Sequence, residues 1–386
     1  MNIKEIDKSY VVGTYHRLDV AITKGKGSYL YDDNGKEYLD FGSGIAVNTF
    51  GACDEVWQNA VKEQISKIQH TCNYYYTEPC ANLAKILCEK SGMDKVFFSN
   101  SGAEANECAI KTARKYGTDK DENKNIIITL KNSFHGRTIS TLAATGQDVF
   151  HKSFTPFTEG FLYAEPDNFA EVKKLADENN CCAIMMEVVQ GEGGVNNLSL
   201  DFVKKCEELC KEKDMLLIID EVQTGNGRCG KYFAYMNYGV NPDVVTTAKG
   251  LAGGLPIGAC LFSEKTAGVL GYGSHGSTFG GNPVSCAAAC SIAERIDDAF
   301  LKEVSEKGEY IKKKLLEING VKNVSGMGLM IGIELEKNAG DVLSECLEAG
   351  LLVLTAKDKV RLLPPLNISY EDIDKGLEIL KGVIEQ

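Results

Sequence analysis

Two short apolar runs in the middle of the chain each end in a charged residue. Residues 215–219 run into Asp220, and residues 243–248 run into Lys249. Apolar and β-branched runs of this length are typical of strands buried on both faces of a parallel sheet. Because α/β proteins bind ligands at the carboxyl ends of such strands, the two charges predict a site at one sheet edge. A structural ion pair is the alternative, and these two segments alone do not decide between them.

Further apolar runs alternate with helical patterns along the central part of the chain. Strand patterns cover residues 94–98, 126–130, 181–189 and 256–262, and helical patterns cover residues 102–116 and 200–213. Strands separated by helices indicate βαβ units and a mostly parallel sheet. The pattern therefore predicts an α/β fold with a large central domain, which we place at residues 51–284.

The two ends of the chain carry a different pattern. Residues 28–41 predict a hairpin whose turn contains Asn34-Gly35. A long helical pattern covers residues 283–318, short strands follow at 324–335, 351–355 and 359–363, and a last helix covers 370–385. We expect segments 1–50 and 285–386 to form together a smaller α+β domain.

Composition and charge narrow the classes of function. The chain has 386 residues, of which 44% are apolar and 25% charged, as in ordinary globular proteins. A net charge of −12 without a basic stripe argues against nucleic-acid binding. No apolar run reaches the length of a membrane span, and the first residues lack the apolar core of a signal peptide, so we expect a cytoplasmic protein.

The 14 cysteines are interpreted as packing residues. No Cys-x-x-Cys pair is present, and with only five histidines we expect no metal site. Cys206/Cys210 and Cys286/Cys290 have the four-residue spacing of neighbours on one helix face. Free cysteine is commonly buried as a small apolar residue in a reducing compartment.

An anion site is predicted after the strand at 94–98. Ser101 and Glu104 have the spacing of a capping box, so a helix should begin at Gly102. The free backbone N–H groups of Gly102 and Ala103, together with the helix dipole, could bind a phosphate. An ordinary capped helix is the alternative.

Four other segments carry candidate chemistry at strand ends or in glycine-rich loops. An aromatic ring can stack on a planar cofactor, an arginine fork matches a carboxylate, and hydroxyls can bind phosphate. Core packing, turn chemistry and surface arginines are the alternatives. The candidates are Phe134, His135 and Arg137; Glu187 and Glu192; Ser277 and Thr278; and Arg361.

The joint order of these motifs closely resembles the class III pyridoxal-phosphate aminotransferases, and within them the N-acetylornithine branch of arginine biosynthesis. The resemblance runs from Gly13 to Leu366 and implies fold type I. The chain departs from the family at residues 51–55, Gly-Ala-Cys-Asp-Glu, where Gly-His-x-His-Pro is usual, and at Val188, where proline is usual. The motifs that match lie at 100–107, 134–138, 190–195, 220–225 and 246–249.

The resemblance implies pyridoxal 5′-phosphate as the cofactor and gives roles to the residues around it. Lys249 would form the Schiff base and move the substrate proton, and Asp220 would hold the proton of the pyridine nitrogen. Val222 and Phe134 would sandwich the ring, and Gln223 would bind its phenolic oxygen. The resemblance implies that Thr278 reaches the cofactor of a partner subunit, hence a homodimer. The further cofactor-binding residues would be Ser101, Gly102, Ala103, His135 and Glu187.

The resemblance also implies that one site binds two substrates, N-acetylornithine and 2-oxoglutarate. Arg137, with Tyr15, would bind the α-carboxylate of acetylornithine and the distal carboxylate of 2-oxoglutarate, and Ser277 would add a substrate contact. Arg361 would bind the keto acid's α-carboxylate, and Glu192 would pair with Arg361 while the amine donor is bound. Ornithine, succinylornithine and 4-aminobutyrate remain alternative donors. An aminomutase has no need of Arg361 and Glu192, and a non-catalytic protein has no need of Lys249 with Asp220.

Overall fold

The structure is a computed structural model that describes residues 2–386. In chain order its strands are β1 (Ile22–Lys26), β2 (Tyr29–Asp32), β3 (Glu37–Asp40), β4 (Lys95–Ser99), β5 (Ile126–Leu130), β6 (Phe161–Ala164), β7 (Cys181–Met186), β8 (Val189–Gln190), β9 (Asn196–Asn197), β10 (Leu216–Asp220), β11 (Val244–Thr247), β12 (Gly258–Phe262), β13 (Val321–Met327), β14 (Met330–Leu335), β15 (Leu351–Leu352), β16 (Leu354–Ala356) and β17 (Lys359–Leu362). Its helices are α1 (Ile3–Tyr10), α2 (Ser43–Ala46), α3 (Glu55–Lys67), α4 (Glu78–Ser91), α5 (Gly102–Thr118), α6 (Ile139–Ala144), α7 (Phe169–Glu178), α8 (Leu200–Glu212), α9 (Pro283–Ala293), α10 (Asp298–Leu315), α11 (Ala339–Ala349) and α12 (Tyr370–Ile384).

A sheet in the order β4-β12-β11-β10-β7-β5-β6 forms the centre of the molecule. Strand β12 runs antiparallel to both of its neighbours, and the other paired strands are parallel, which confirms the predicted mostly parallel sheet. In the register of β10 and β11, Asp220 lies opposite Thr246. Lys249, three residues further along, therefore emerges at the same sheet edge as Asp220.

The central strands are apolar because both faces of the sheet are covered. All five residues of β10 and all four of β11 are buried, with helices α5 and α8 packed against the sheet. Burial of each leucine or isoleucine side chain stabilises the fold by about 1.5–3 kcal/mol. This packing fixes where each strand ends and hence where the charged residues lie.

Segments from both ends of the chain pair with each other beside the central sheet. The predicted hairpin is present as β2 and β3, and β3 pairs in parallel with β15, so that Leu39 lies opposite Leu351. A second sheet in the order β13-β14-β17-β16 continues this region. The predicted α+β unit from both termini is therefore present, whereas its boundaries near residues 50 and 284 stay predictions.

Several elements differ from the sequence prediction. The helical pattern over 283–318 is two helices, α9 and α10, because Asp297 caps α10 by accepting the N–H of Phe300 at 2.8 Å. The strand predicted over 181–189 ends at Met186, and Val189–Gln190 instead pairs with β9. Strand β1 was not predicted, because most of its residues are exposed and lack alternation.

Two helices account for the four-residue cysteine spacing. Cys206 and Cys210 are buried on α8, and Cys286 is buried and Cys290 half-buried on α9. These positions confirm that the paired cysteines pack within the fold. Within residues 2–386, no helix combines the length and the apolar composition needed to cross a membrane.

Candidate active site

A cavity of about 410 Å³ opens at the carboxyl ends of β10 and β11. The start of α5 and the loops after β5 and β7 complete its wall. Twelve of the residues predicted from the sequence line it together: Ser101, Gly102, Ala103, Phe134, His135, Arg137, Glu187, Glu192, Asp220, Val222, Gln223 and Lys249.

Asp220 is a buried carboxylate at the end of β10 and is held by three donors. Its Oδ2 accepts hydrogen bonds from Nδ1 of His135 at 2.8 Å and from Nδ2 of Asn106 at 2.7 Å. Its Oδ1 accepts the backbone N–H of Val222 at 2.9 Å. Burial alone would lower the pKa of His135, but the hydrogen bond to Asp220 and its charge raise that pKa above the ordinary value.

Lys249 offers an unpaired amine to the same cavity. It begins a 3₁₀ turn directly after β11, with a positive φ of 45° that non-glycine residues rarely adopt. Within residues 2–386, its Nζ makes no hydrogen bond or ion pair. Removal of the amine from solvent lowers the pKa of Lys249 to about 8, although Glu192 opposes the shift. The amine therefore has a substantial neutral, nucleophilic fraction near neutral pH.

Glu187 is a second buried carboxyl in the cavity wall, just beyond β7. Its Oε2 accepts the backbone N–H of Phe134 at 2.9 Å. Burial raises the pKa of Glu187 to about 7, although the charge of His135 opposes the shift. The Glu187 carboxyl is therefore partly protonated near neutral pH and adds less than a full negative charge to the cavity.

Helix α5 begins at Gly102, as predicted, and its first turn faces the cavity. Oγ of Ser101 accepts the backbone N–H of Glu104 at 3.2 Å. The N–H groups of Gly102 and Ala103 have no partner among residues 2–386 and are available to an anion. A Cβ on Gly102 would lie 2.6 Å from Cγ1 of Val222, so glycine here allows Val222 to pack against the helix start.

Arg137 lies exposed at the mouth of the cavity. Its guanidinium stacks over the ring of Phe150 at 4.1 Å and lies 5.4 Å from the centre of the Phe134 ring. No carboxylate of the described chain pairs with it. The stacked aromatic rings fix the guanidinium while its charge stays available to a bound carboxylate.

Arg361, a buried residue of β17, does not line the cavity itself but bonds two residues that do. Its Nη1 donates to Oε1 of Glu192 at 2.7 Å and to Oε1 of Gln223 at 3.1 Å. Burial would raise the pKa of Glu192, but the charge and hydrogen bond of Arg361, together with the charge of Lys249 and the hydrogen bond from Gln223, lower that pKa below its ordinary value. Gln223 also donates weakly to Glu192 at 3.4 Å. Arg361, Glu192 and Gln223 form one hydrogen-bonded network, which joins the central sheet to the sheet that contains β17.

Besides Arg361, three predicted residues do not line the cavity of this chain. Tyr15 is 74% exposed, with Arg17 stacked over its ring, and Thr278 is also exposed. Ser277 reaches the cavity wall indirectly, because its Oγ accepts Nδ2 of Asn100 at 3.0 Å. The roles of Tyr15 and Thr278 therefore stay predictions.

Asn106 is a residue of the site that the sequence analysis missed. It is buried on α5 and bonds Asp220 directly. An asparagine inside a helix is disfavoured unless its side chain has a partner, and this was the available signal. Helical periodicity cannot reveal which strand a buried polar side chain meets.

The family of the chain follows from comparison with known proteins. Residues 10–384 match the class III aminotransferase family, so the chain belongs to that family, and the predicted family and fold type are confirmed. It is 51% identical over 387 residues to the acetylornithine aminotransferase of Haemophilus ducreyi, covering 100% of this chain and 98% of that protein.

Solved structures of aminotransferases also match the fold of this chain. The ornithine aminotransferase of Toxoplasma gondii matches with a TM-score of 0.94 and 31% identity, covering 99% of this chain and 94% of that chain. The N-acetylornithine aminotransferase of Stenotrophomonas maltophilia K279a matches with a TM-score of 0.86 and 34% identity, covering 99% and 98% of the two chains.

Proposed function

We propose that this protein transfers the terminal amino group of N-acetylornithine to 2-oxoglutarate in arginine biosynthesis, with pyridoxal 5′-phosphate bound in the cavity. The observation that carries the proposal is the pairing of a free amine, Lys249, with a buried carboxylate, Asp220, at adjacent strand ends of one cavity. The full-length similarity to proteins named acetylornithine aminotransferase supports the choice of amine donor.

The residues of the cavity fit the cofactor. Unpaired N–H groups at Gly102 and Ala103 suit its phosphate, and the side chains of Val222 and Phe134 suit the faces of its ring. The Asp220 carboxylate, held in place by its three donors, suits a protonated ring nitrogen. When bound, the cofactor supplies an electron-accepting ring that stabilises negative charge at the substrate carbon.

Lys249 is the residue that moves protons at the reacting carbon. A pKa of about 8 lets its amine accept a proton and return it near neutral pH. The apolar wall formed by Val222, Leu255 and Ile257 excludes water beside it. Arg137 at the mouth orients the substrate through a carboxylate.

The ion pair of Arg361 with Glu192 allows one site to bind two different substrates. Arg361 is 3% exposed, and leaving such a guanidinium without a partner would cost about 3–5 kcal/mol. The Glu192 side chain is 33% exposed and lies in a glycine-rich loop, so it is free to turn away. Glu192 thus pairs with Arg361 while the amine donor is bound and yields Arg361 to the α-carboxylate of 2-oxoglutarate.

We further propose that two copies of the chain form the working enzyme, with Thr278 reaching the phosphate of the other copy's cofactor. Thr278 is exposed next to Phe279, which is 58% exposed. Large aromatic side chains left in solvent are typical of a covered interface. Other large aromatic side chains that are exposed are Tyr74, Tyr75, Tyr76 and Tyr272.

Steady-state kinetics with 2-oxoglutarate and four amine donors test the substrate. The donors are N-acetylornithine, succinylornithine, ornithine and 4-aminobutyrate. We expect the largest kcat/KM for N-acetylornithine. Ornithine is the second candidate, because the ornithine aminotransferase structure matches with the higher TM-score of 0.94. A larger kcat/KM for ornithine would overturn the first choice in its favour.

A further inference from the structure

Asn106 has no role in the chemistry described above, yet both polar atoms of its side chain are hydrogen-bonded. The residue is 1% exposed within α5. Its Nδ2 donates to the carbonyl oxygen of His135 at 2.7 Å and to Oδ2 of Asp220 at 2.7 Å. Its Oδ1 accepts the hydroxyl of Thr246 at 2.6 Å. Both amide hydrogens and the amide oxygen are therefore satisfied.

Two acceptors determine which way the Asn106 amide faces. The carbonyl oxygen of His135 and the carboxylate oxygen Oδ2 of Asp220 can only accept, so Nδ2 must lie towards them. Oδ1 then faces Thr246, a buried residue of β11 opposite Asp220 in the strand register, and accepts its hydroxyl proton. Without that hydroxyl, Oδ1 would be a buried acceptor with no partner, which is costly.

This arrangement fixes the Asp220 carboxylate on one side. Oδ2 is shared by Asn106 and His135, and Oδ1 accepts only the N–H of Val222. Oδ1 therefore keeps a free lone pair for a donor in the cavity. Asn106 is the uncharged side-chain donor of the set, so its contribution is to fix the position of Oδ2 without adding a titrating group.

We propose that Asn106, supported by Thr246, is a positioning residue that holds the Asp220 carboxylate aligned for the pyridine nitrogen of the cofactor. The inference rests on the proposed function, because it requires pyridoxal phosphate in this cavity. Thr246 thus acts on the ring nitrogen through two successive hydrogen-bonded side chains.

Three variants test this inference. Asn106→Leu removes the amide at similar volume, and Thr246→Val removes only the hydroxyl that bonds the amide oxygen. Thr247→Val is the matched control, because Thr247 is an equally buried neighbour on β11 whose hydroxyl accepts Nδ2 of Asn226 at 2.9 Å. For each purified protein we would measure the dissociation constant of pyridoxal phosphate from the cofactor-free form. The second measurement is the pH at which the absorption of the bound cofactor changes.

We expect Asn106→Leu to weaken cofactor binding about 10- to 100-fold, as expected for loss of a hydrogen bond to a charged group. Its absorption transition should move to higher pH, because a ring nitrogen less firmly protonated withdraws fewer electrons. Thr246→Val should change both quantities in the same direction by a smaller amount, about five-fold in affinity. Thr247→Val should match the parent in both, whatever it does to thermal stability.

The outcomes separate this inference from the proposed function. If Thr246→Val and Asn106→Leu both match Thr247→Val in affinity and in transition pH, the inference is wrong. If Asn106→Leu does not fold, Thr246→Val alone decides, since it leaves the asparagine in place. A parent protein that binds the cofactor but does not use N-acetylornithine would contradict only the proposed substrate. A parent protein that does not bind pyridoxal phosphate would contradict both.

Discussion

At the scale of single residues, the amine of Lys249 has an unusual acid–base behaviour that is open to measurement. Desolvation lowers the pKa of Lys249 to about 8, and Glu192 opposes this shift. A protonated amine cannot attack an aldehyde, so the rate at which pyridoxal phosphate attaches to the cofactor-free protein should rise with pH and level off above about 8. Stopped-flow absorbance from pH 6 to 10 measures this, with Nα-acetyllysine correcting for titration of the cofactor itself.

A variant of Glu192 provides the control for that titration. The negative charge of Glu192 raises the pKa of Lys249, so Glu192→Gln should move the midpoint to lower pH. A rate that continues to rise up to pH 10 in the parent would show that the amine is not desolvated. A midpoint unchanged by Glu192→Gln would show that the two charges do not interact.

The sequence predicted residues at strand ends better than residues inside helices. Asp220 and Lys249 were predicted because a charge that interrupts a buried strand is rare and because neighbouring parallel strands end at one edge. Asn106 was missed because its partners lie on other elements, 29 and 114 positions away. Tyr15, proposed from resemblance alone, is exposed and lies outside the cavity.

At the scale of elements, β17 and the loop after β8 meet through Arg361 and Glu192. Arg361→Ala should lower the rate constant of the 2-oxoglutarate half-reaction about 10- to 100-fold, because a charged hydrogen-bond donor to the α-carboxylate is lost. The amine-donor half-reaction should fall much less. Rapid mixing of each half-reaction separately measures both. Equal losses in the two half-reactions would contradict the two roles of this arginine.

The unusual segment at residues 51–55 has a structural role that accounts for Asp54, one of its two acidic residues. Oδ1 of Asp54 accepts the N–H of Trp57 at 2.9 Å and so caps α3, and the carboxylate forms a two-point ion pair with Arg295 at 2.8 and 3.1 Å. Asp54→Ala should lower the free energy of unfolding by about 1–3 kcal/mol. Asp54→Asn keeps the cap and should lose less than half as much in urea denaturation. Equal losses would mean that the cap contributes nothing.

The prediction of helices and strands succeeded where the hydrophobic pattern was regular. It failed where a single side chain or a pairing with another strand determines the element. Strand β5 is found at 126–130, as predicted, because a short apolar run has clear limits. The break between α9 and α10 depends on one aspartate cap, which hydrophobic periodicity does not register. Strand β1 is largely exposed and is held by pairing with β2, which no local pattern shows.

At the scale of the whole molecule, the proposed dimer predicts that two defective chains repair each other. Lys249→Ala should abolish turnover, and Thr278→Ala should weaken cofactor binding in the other copy's site. In a mixed dimer, one site would have Lys249 from one chain and Thr278 from its partner. Co-refolding the two variants should therefore restore turnover at low cofactor concentration.

The matched control for this mixture is Lys249→Ala refolded with Lys302→Ala, whose changed side chain is 77% exposed on α10 and far from both roles. That mixture should show the activity of the Lys302→Ala chain at its own concentration. If the Lys249→Ala and Thr278→Ala mixture gains nothing over Thr278→Ala alone, each site is complete within one chain.

The parallel pairing of β3 with β15 also has a consequence for how the enzyme is made. Leu39 leaves the ribosome more than three hundred residues before its partner Leu351, and Arg361 comes later still. The early hairpin must therefore wait, with one edge unpaired, until translation is nearly finished. A nascent chain interrupted before β15 would have every strand of the central sheet but would lack the partner for that edge and the guanidinium that bonds Glu192.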